Sequence, residues 1–172
     1  MGWLRLRSGD ETTTKAIGAA VAGLLDPGDV VGLAGDLGAG KTRLVQGAAA
    51  ALGVDDPVLS PTFMLLREYD GDLPVHHVDA YRLTGPVELE DLGLDEVLAA
   101  DAVAFVEWAD KVAAVLPESW LELVLRIRDD DTREVDVRPH GPGWARRADR
   151  LAAALESFLR RPSQKLDTTE MS

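Results

Sequence analysis

The chain has 172 residues, of which 46% are hydrophobic, and its formal net charge is −12. This size and composition are ordinary for one globular domain, and the acidic balance makes nonspecific binding to nucleic acid weak. Zero cysteines exclude disulfides, thiolate catalysis and thiolate metal sites. The N-terminus lacks the apolar stretch of a signal peptide and no later run could span a membrane, so we expect a soluble cytoplasmic protein.

The first elements predicted along the chain are a strand, a helix and a second strand. Leu4 and Leu6 alternate with polar or exposed neighbours, which is typical of a half-buried strand. Ser8 and Glu11 have the spacing of a capping box, and an apolar stripe over residues 17–25 follows at helical periodicity. A turn with Pro and Gly ends that helix, and residues 30–34 predict a short buried strand.

The octapeptide that follows this strand fits the phosphate-loop pattern: Gly35-Asp36-Leu37-Gly38-Ala39-Gly40-Lys41-Thr42. An amphipathic helix follows it, so the pattern stands between a strand and a helix, as a phosphate loop must. Glycines allow several backbone N–H groups to point into one concavity, and the helix start adds partial positive charge. We therefore expect a triphosphate here, with Lys41 at its β and γ phosphates and the Thr42 hydroxyl on Mg²⁺.

The middle of the chain predicts three strands and one helix. An extended segment at residues 58–61 leads to strands at 63–69 and 75–81, and residues 86–98 have helical periodicity. The run at residues 102–106 is uniformly apolar, as expected for a strand covered on both faces. These elements alternate in the order that α/β proteins use.

The last part of the chain predicts a hairpin and a helix. Residues 121–127 and 135–137 alternate around an Asp-rich turn, which indicates a hairpin at one margin of the sheet, and residues 144–158 form an amphipathic helix. Together the elements predict a three-layer α/β/α P-loop NTPase sandwich with a largely parallel central sheet and a C-terminal hairpin plus helix. We expect one P-loop ATPase domain at residues 1–160 and a disordered tail at 161–172.

Two predicted strands end in a carboxylate, and ligands of such sheets bind at the carboxyl ends of the strands. Glu107 follows the most apolar strand, and Asp79 follows the strand before it. A buried strand has no structural reason to end in an acid unless a cation or polar group meets it. Both are therefore candidates for the acidic residue behind the magnesium, and a surface carboxylate is the alternative for each. With Lys41 they are the candidate catalytic residues.

Several polar residues near these strands have a functional and a plain alternative. His76 and His77 point to opposite faces of a strand, so they cannot easily chelate one metal ion. His77 shares a face with Asp79 and is expected to orient it by a hydrogen bond, with a merely packed histidine as the alternative. The hydroxyls of residues 60–62 could sense a γ phosphate, or could simply begin a strand. The arginines of the last helix are expected to form a solvated face.

These pieces together resemble one family, the bacterial TsaE (YjeE) proteins. The resemblance runs in order from Glu11 to Leu125 and comprises six spaced blocks. These blocks are Thr14 with Ile17-Gly18, Gly35 to Thr42, Ser60-Pro61-Thr62-Phe63, His77 to Leu83, Glu88-Leu89 with Leu92-Gly93, and Glu107-Trp108. Ala109 departs from the proline that many members have after the Glu-Trp pair. Members of this family are small ATPases required for the threonylcarbamoyl modification of tRNA.

The resemblance implies ATP and Mg²⁺ as cofactors and assigns roles to residues. Thr42 and Glu107 would serve the metal, while Asp79 and the segment 60–62 would act as switch-like elements. The implied nucleotide-binding residues are Thr14, Gly38, Ala39, Gly40, Lys41, Thr42, Thr62 and Trp108. The implied partners are TsaD and TsaB homologues, with tRNA reached only through that complex.

Two other functions share these features. A small-molecule P-loop kinase would have the same loop and sheet, but it usually needs an arginine-bearing lid, and no arginine-rich insertion is present in the sequence. A nucleotide-dependent binding module with little hydrolysis would work by changing shape on a partner. Release of phosphate without an added acceptor would separate the ATPase from the kinase.

Overall fold

The computed structural model describes residues 4–60, 65–83, 88, 91, 93–99 and 101–160. Its strands are β1 (Leu4–Ser8), β2 (Val30–Ala34), β3 (Leu66–Tyr69), β4 (Val75–Asp79), β5 (Val103–Glu107), β6 (Trp120–Ile127) and β7 (Arg133–His140). Its α-helices are α1 (Glu11–Ala22), α2 (Lys41–Ala51), α3 (Leu94–Ala99), α4 (Gly141–Ala145) and α5 (Ala148–Leu155). Short 3₁₀ helices lie at Ala109–Lys111, Ala113–Val115 and Glu156–Phe158.

All seven strands belong to one mixed sheet with the order β1-β7-β6-β2-β5-β4-β3. Strand β2 pairs in parallel with both β5 and β6, and β4 pairs in parallel with β5. The pairs β1 with β7, β6 with β7, and β3 with β4 are antiparallel. The predicted α/β class is confirmed, but the prediction of a largely parallel sheet is wrong.

The β6–β7 hairpin accounts for two of the three antiparallel pairs among the described strands. Its strand β6 lies beside β2 in the middle of the sheet, so β7 must run antiparallel there, and β1 then pairs with the outer edge of β7. The sequence pattern had suggested that the hairpin forms one margin of the sheet, and this prediction is wrong. The strands at the two margins are β1 and β3. Local alternation identifies strands but carries no information about which neighbour each strand chooses.

Each face of the sheet packs against its own hydrophobic cluster. Successive residues of a strand point to opposite faces, and β5 shows this directly. Val103 and Phe105 belong to the cluster that includes residues of α1, α2 and α5. Ala104 and Val106 belong to a second cluster, which includes Leu94 of α3. The uniformly apolar sequence of β5 is thus explained, because both faces of this strand are covered.

Helices α1 and α2 pack with their backbones in close approach. A side chain built on Gly18 of α1 would overlap the carbonyl oxygen of Leu44 in α2, and one built on Gly47 would overlap the carbonyl oxygen of Lys15. Both positions therefore require glycine for a packing reason. This contact sets the position of α2, whose first residues complete the phosphate-loop octapeptide.

We expect Gly18→Ala to destabilise the protein. Alanine favours an isolated helix by about 1 kcal/mol, but the added methyl group must push α1 away from α2, and such overpacking costs about 1–3 kcal/mol. The net loss should lower the thermal midpoint by several degrees in circular dichroism. Gly23→Ala is the matched control, because its nearest neighbour would be the Ala20 carbonyl at 3.6 Å. Equal melting of both variants would contradict the packing explanation.

The ends of the first and last helices differ from the sequence predictions. The N-cap of α1 is Asp10, whose side chain accepts from the Thr13 amide, so the capping box at Ser8 is wrong. Ser8 instead ends β1 and its hydroxyl lies 2.7 Å from that of Thr14. The predicted final helix is divided into α4, α5 and a 3₁₀ turn.

The arginines of the last helices are not simply a solvated face. Arg147 donates two hydrogen bonds to the carboxylate of Asp29, at 2.6 and 2.8 Å, and stacks over the Trp144 ring at 3.9 Å. The hydrogen bond to Asp29 raises the pKa of this guanidinium. Arg160 bonds to the buried carboxylate of Glu134. These two arginines attach the C-terminal part of the described chain to the sheet and to the turn before β2.

Three sequence predictions fall on residues outside those that the structure describes. They concern residues 61–64, part of the helix expected at 86–98, and the tail at 161–172. Within the described ranges, no helix has both the length and the apolar character needed to cross a membrane.

Candidate functional site

The phosphate-loop octapeptide connects β2 to α2 in the described structure. Gly35, Gly38 and Gly40 all have positive φ, at 144°, 80° and 104°. Helix α2 begins at Lys41, and its N-cap Gly40 provides no side chain to cap the first turn. The amide groups at that helix end therefore have no side-chain partner at the cap, and a helix N-terminus carries partial positive charge. The backbone here has the properties of an anion-binding loop.

Lys41 is the buried cation of this loop. Its ammonium donates to the carbonyl oxygens of Gly35 at 2.5 Å and Asp36 at 3.0 Å, and it lies 4.0 Å from the centroid of the Trp108 ring. Burial lowers the pKa of Lys41, while nearby carboxylates, that of Glu107 foremost, oppose this shift. The ammonium is thus held at the loop by neutral acceptors and an aromatic face.

Thr42 and Glu107 meet although 65 positions separate them in the chain. The Thr42 hydroxyl donates to Glu107 Oε1 at 2.9 Å, and its distance to Oε2 is 3.3 Å. Glu107 ends β5, which neighbours β2, so the parallel pairing brings its carboxylate to the start of α2. Only 3% of Glu107 is exposed. A hydroxyl and a carboxylate placed side by side are the oxygen donors that Mg²⁺ prefers.

Asp79 lies at the same end of the sheet as Glu107, directly opposite it in the β4–β5 register. Its two carboxylate oxygens accept from the Tyr81 amide at 2.9 Å and the Ser60 hydroxyl at 3.2 Å. The expectation that His77 orients Asp79 is wrong, because His77 Nε2 lies 2.6 Å from Glu107 Oε2 instead. The structure therefore links Asp79 to Ser60.

Trp108 follows Glu107 and adopts a left-handed backbone conformation with φ of 59°. Its ring lies 5.0 Å from that of Tyr81, and the Lys111 ammonium lies 4.9 Å from the Tyr81 ring and donates to the Tyr81 carbonyl. For a bulky residue this conformation is strained, and such strain is concentrated at functional sites. The Trp108 ring thus lies beside both Tyr81 and Lys41.

These residues border one cavity of about 820 Å³. Of the sequence-predicted site residues, those that line it are Thr14, Gly38, Gly40, Lys41, Thr42, Asp79, Glu107 and Trp108. Ala39 is buried and does not line the cavity, and Thr62 lies outside the described residues. The Thr14 hydroxyl is bonded to Ser8 and to the Asp10 carbonyl.

The cavity lining also includes residues that the sequence analysis did not assign to the site, among them Asp131 and Arg133. Arg133 donates to the carbonyl oxygen of Gly38 at 3.3 Å across 95 positions of sequence, and Asp131 lies beside it in the hairpin turn with φ of 60°. The Asp-rich turn was visible in the sequence. Its position over the phosphate loop depends on β6 pairing with β2, for which the sequence holds no local signal.

The two adjacent histidines have separate environments. His76 Nδ1 lies 3.2 Å from the Val97 carbonyl, and His76 is also near Glu68, whereas His77 faces Glu107. Among the described residues, no group of three or more His, Cys, Asp or Glu side chains could hold a metal ion. The donors at the phosphate loop are instead one hydroxyl and one carboxylate.

Comparison with known proteins gives consistent matches. The family model for threonylcarbamoyl adenosine biosynthesis protein TsaE matches residues 8–135. The Bacillus subtilis tRNA threonylcarbamoyladenosine biosynthesis protein TsaE is 45% identical over 136 residues, which cover 78% of this chain and 85% of that protein. The Streptomyces coelicolor protein of the same name is 44% identical over 140 residues, which cover 76% and 93% respectively.

A solved structure agrees with these sequence matches. The crystal structure of Bacillus subtilis YdiB has a TM-score of 0.76 at 36% identity, and the match covers 88% of this chain and 95% of that one. The segment matched by the family model includes the whole phosphate loop, both strand-end carboxylates and Arg133. The chain belongs to the TsaE family, because the family model matches residues 8–135 and the two named relatives are 45% and 44% identical to it.

Proposed function

We propose that this chain is a Mg²⁺-dependent P-loop ATPase that contributes to forming threonylcarbamoyladenosine in tRNA. The observation that carries the proposal is the bond from the Thr42 hydroxyl to Glu107, at 2.9 Å, beside the buried ammonium of Lys41. Hydroxyl, carboxylate and lysine in this arrangement are the parts that P-loop enzymes use on a nucleotide and its metal ion. The names of the relatives support the pathway.

The loop fits the phosphates of ATP. Three glycines with positive φ and an N-cap without a side chain leave backbone amides available to anionic oxygens. Lys41 provides the charge-assisted donor, since its present acceptors are two neutral carbonyls that a phosphate would outcompete. A cavity of about 820 Å³ has room for a nucleotide.

Thr42 and Glu107 fit Mg²⁺, and both would hold it. When bound, the ion would draw charge from the phosphate oxygens and lower the barrier to their transfer. Glu107 keeps its carboxylate at the loop because two donors, Thr42 and His77, fix its orientation. Asp79 is the second catalytic candidate, and its bond to Ser60 would connect the site to the switch-like segment at 60–62.

The proposal extends to fold type, partners and location. Helices α1, α2 and α5 on one sheet face and α3 on the other support the three-layer P-loop sandwich. We propose TsaD and TsaB homologues as partners in the cytoplasm, with tRNA contacted only through them, since a net charge of −12 disfavours direct binding. ATP turnover here would then reset the complex while the transfer chemistry belongs to TsaD.

Phosphate release from ATP, measured without any acceptor and with Mg²⁺ varied, tests this proposal. Slow Mg²⁺-dependent release is expected. Release only on adding a small-molecule acceptor would indicate a kinase, and tight binding with no release under any condition would indicate a pure binding module.

Glu107→Gln should retain the fold but lose ATP hydrolysis by about a hundredfold or more, because changes beside a metal ligand already cost about 10–100-fold. The amide keeps the volume and can still accept from His77, but it lacks the negative charge that supports Mg²⁺. Asp79→Asn is the comparison variant. If Asp79→Asn were inactive while Glu107→Gln kept wild-type release across a Mg²⁺ titration, the two carboxylates would have the opposite roles.

A further inference from the structure

His77 is a buried polar residue whose role is not explained by packing alone. It lies in the middle of β4 with none of its surface exposed, and it does not line the cavity. Its Nε2 is 2.6 Å from Glu107 Oε2. Within the described part of the chain, its Nδ1 is buried and has no hydrogen-bond partner. The ring therefore has one strong contact, and that contact is with Glu107.

The surroundings of the two ring nitrogens of His77 determine which nitrogen carries a proton. A carboxylate only accepts hydrogen bonds, so the nitrogen that faces Glu107 must carry the N–H. A proton on Nδ1 would leave a buried donor without an acceptor, which is costly. The arrangement thus places a proton on Nε2, as for histidines that a single hydrogen bond holds in one tautomer.

The same contact fixes the carboxylate. Glu107 Oε2 accepts from His77, while Oε1 accepts from Thr42 at 2.9 Å, so both oxygens have a donor. A side chain held at both oxygens cannot rotate away from the start of α2. The Thr42 bond lies at the place where the metal would bind, whereas the His77 bond lies behind it, away from the cavity.

We propose that His77 is a positioning residue that holds the Glu107 carboxylate toward Thr42 for Mg²⁺. This inference rests on the proposed function, because the metal is part of that proposal. His77 acts through Glu107 and does not touch the nucleotide. Groups that orient metal ligands from behind typically change metal affinity by about 10–100-fold when removed.

ATP affinity is measured by calorimetric titration, once in EDTA and once in saturating Mg²⁺. The ratio of the two affinities is the gain that Mg²⁺ gives, and this gain tests the inference. In His77→Leu, ATP affinity in EDTA should stay within about threefold of wild type, but the Mg²⁺-dependent gain should fall about tenfold or more. His77→Gln, whose amide can donate from a similar position, should recover most of the gain. His76→Gln is the matched control and should behave as wild type, because His76 does not contact Glu107.

The outcomes separate the two proposals. If wild-type protein binds ATP but Mg²⁺ adds nothing, the proposed metal site is wrong. If wild type shows the gain and His77→Leu keeps it, only the role of His77 is wrong. A His77→Gln variant as deficient as His77→Leu would also overturn the role of the hydrogen bond. Melting curves of each variant exclude unfolding as the cause.

Wild-type protein offers a test that no folding defect can affect. Long-range ¹H–¹⁵N NMR distinguishes the two neutral tautomers, and the chain has only three histidines to assign. We expect His77 to carry its proton on Nε2. A proton on Nδ1 with a bare Nε2 would overturn the proposal, because nothing would then be donated to Glu107.

Discussion

Lys41→Ala is expected to lower ATP affinity by about a hundredfold or more. The lysine would make at least two charge-assisted bonds to phosphate oxygens, and each such bond contributes about 1.5–3 kcal/mol. Its present partners, the carbonyls of Gly35 and Asp36, cannot replace it because they are acceptors. Isothermal titration calorimetry with ATP, in parallel with melting curves, measures the loss and shows whether the fold is retained.

Lys111→Ala provides the matched control for this variant. Lys111 is also a lysine beside Trp108, at 5.7 Å from the ring centroid, but it does not line the cavity. Its removal should leave ATP affinity within about threefold of wild type. Wild-type affinity in Lys41→Ala would refute the phosphate-loop assignment, and an equal loss in both variants would attribute the effect to Trp108 instead.

Phosphate release from the isolated chain should be slow and should rise by orders of magnitude when TsaD and TsaB homologues are added together. Efficient P-loop hydrolases need a cation at the transition state, and its absence can cost about 10³–10⁵ in rate. In the described structure three arginines line the cavity, Arg43, Arg82 and Arg133. Arg43 pairs with Glu11 and Gln46, and Arg133 donates to the Gly38 carbonyl. We expect the partners to complete the site, either by supplying the cation or by placing one of these arginines.

The measurement compares the chain alone, with each partner, and with both. Stimulation by the pair but by neither partner alone would support a site completed by the complex. Deletion of residues 161–172 is expected to change neither the basal nor the stimulated rate. Full-speed hydrolysis by the lone chain, or no response to the pair, would rule out completion by these partners.

The elements near the phosphate loop were predictable because their signals are local. Residues 30–34 and 103–107 are apolar runs of strand length, and the glycine spacing of the loop admits few other structures. The meeting of Thr42 with the strand end at Glu107 also followed, because ligands of parallel strands gather at their carboxyl ends.

What could not be predicted depends on contacts between distant parts of the chain. The pairing of β6 with β2 places the hairpin inside the sheet and carries Arg133 to the loop, yet nothing in the alternation of residues 121–127 identifies that neighbour. The partner of His77 was wrong for a related reason. Sequence periodicity placed His77 and Asp79 on one face of the sheet. The His77 ring instead contacts Glu107 on the neighbouring strand β5, two positions beyond its register partner Phe105.

The glycine contacts between α1 and α2 also determine which side of the cavity can adapt. Thr14 on α1 and Thr42 on α2 both line the cavity, and the two helices approach each other closely at Gly18 and Gly47. We therefore expect these two helices to move as one unit. Closure around a nucleotide should come from other lining residues, such as Tyr81, and hydrogen exchange should show protection on ATP binding there rather than within α1.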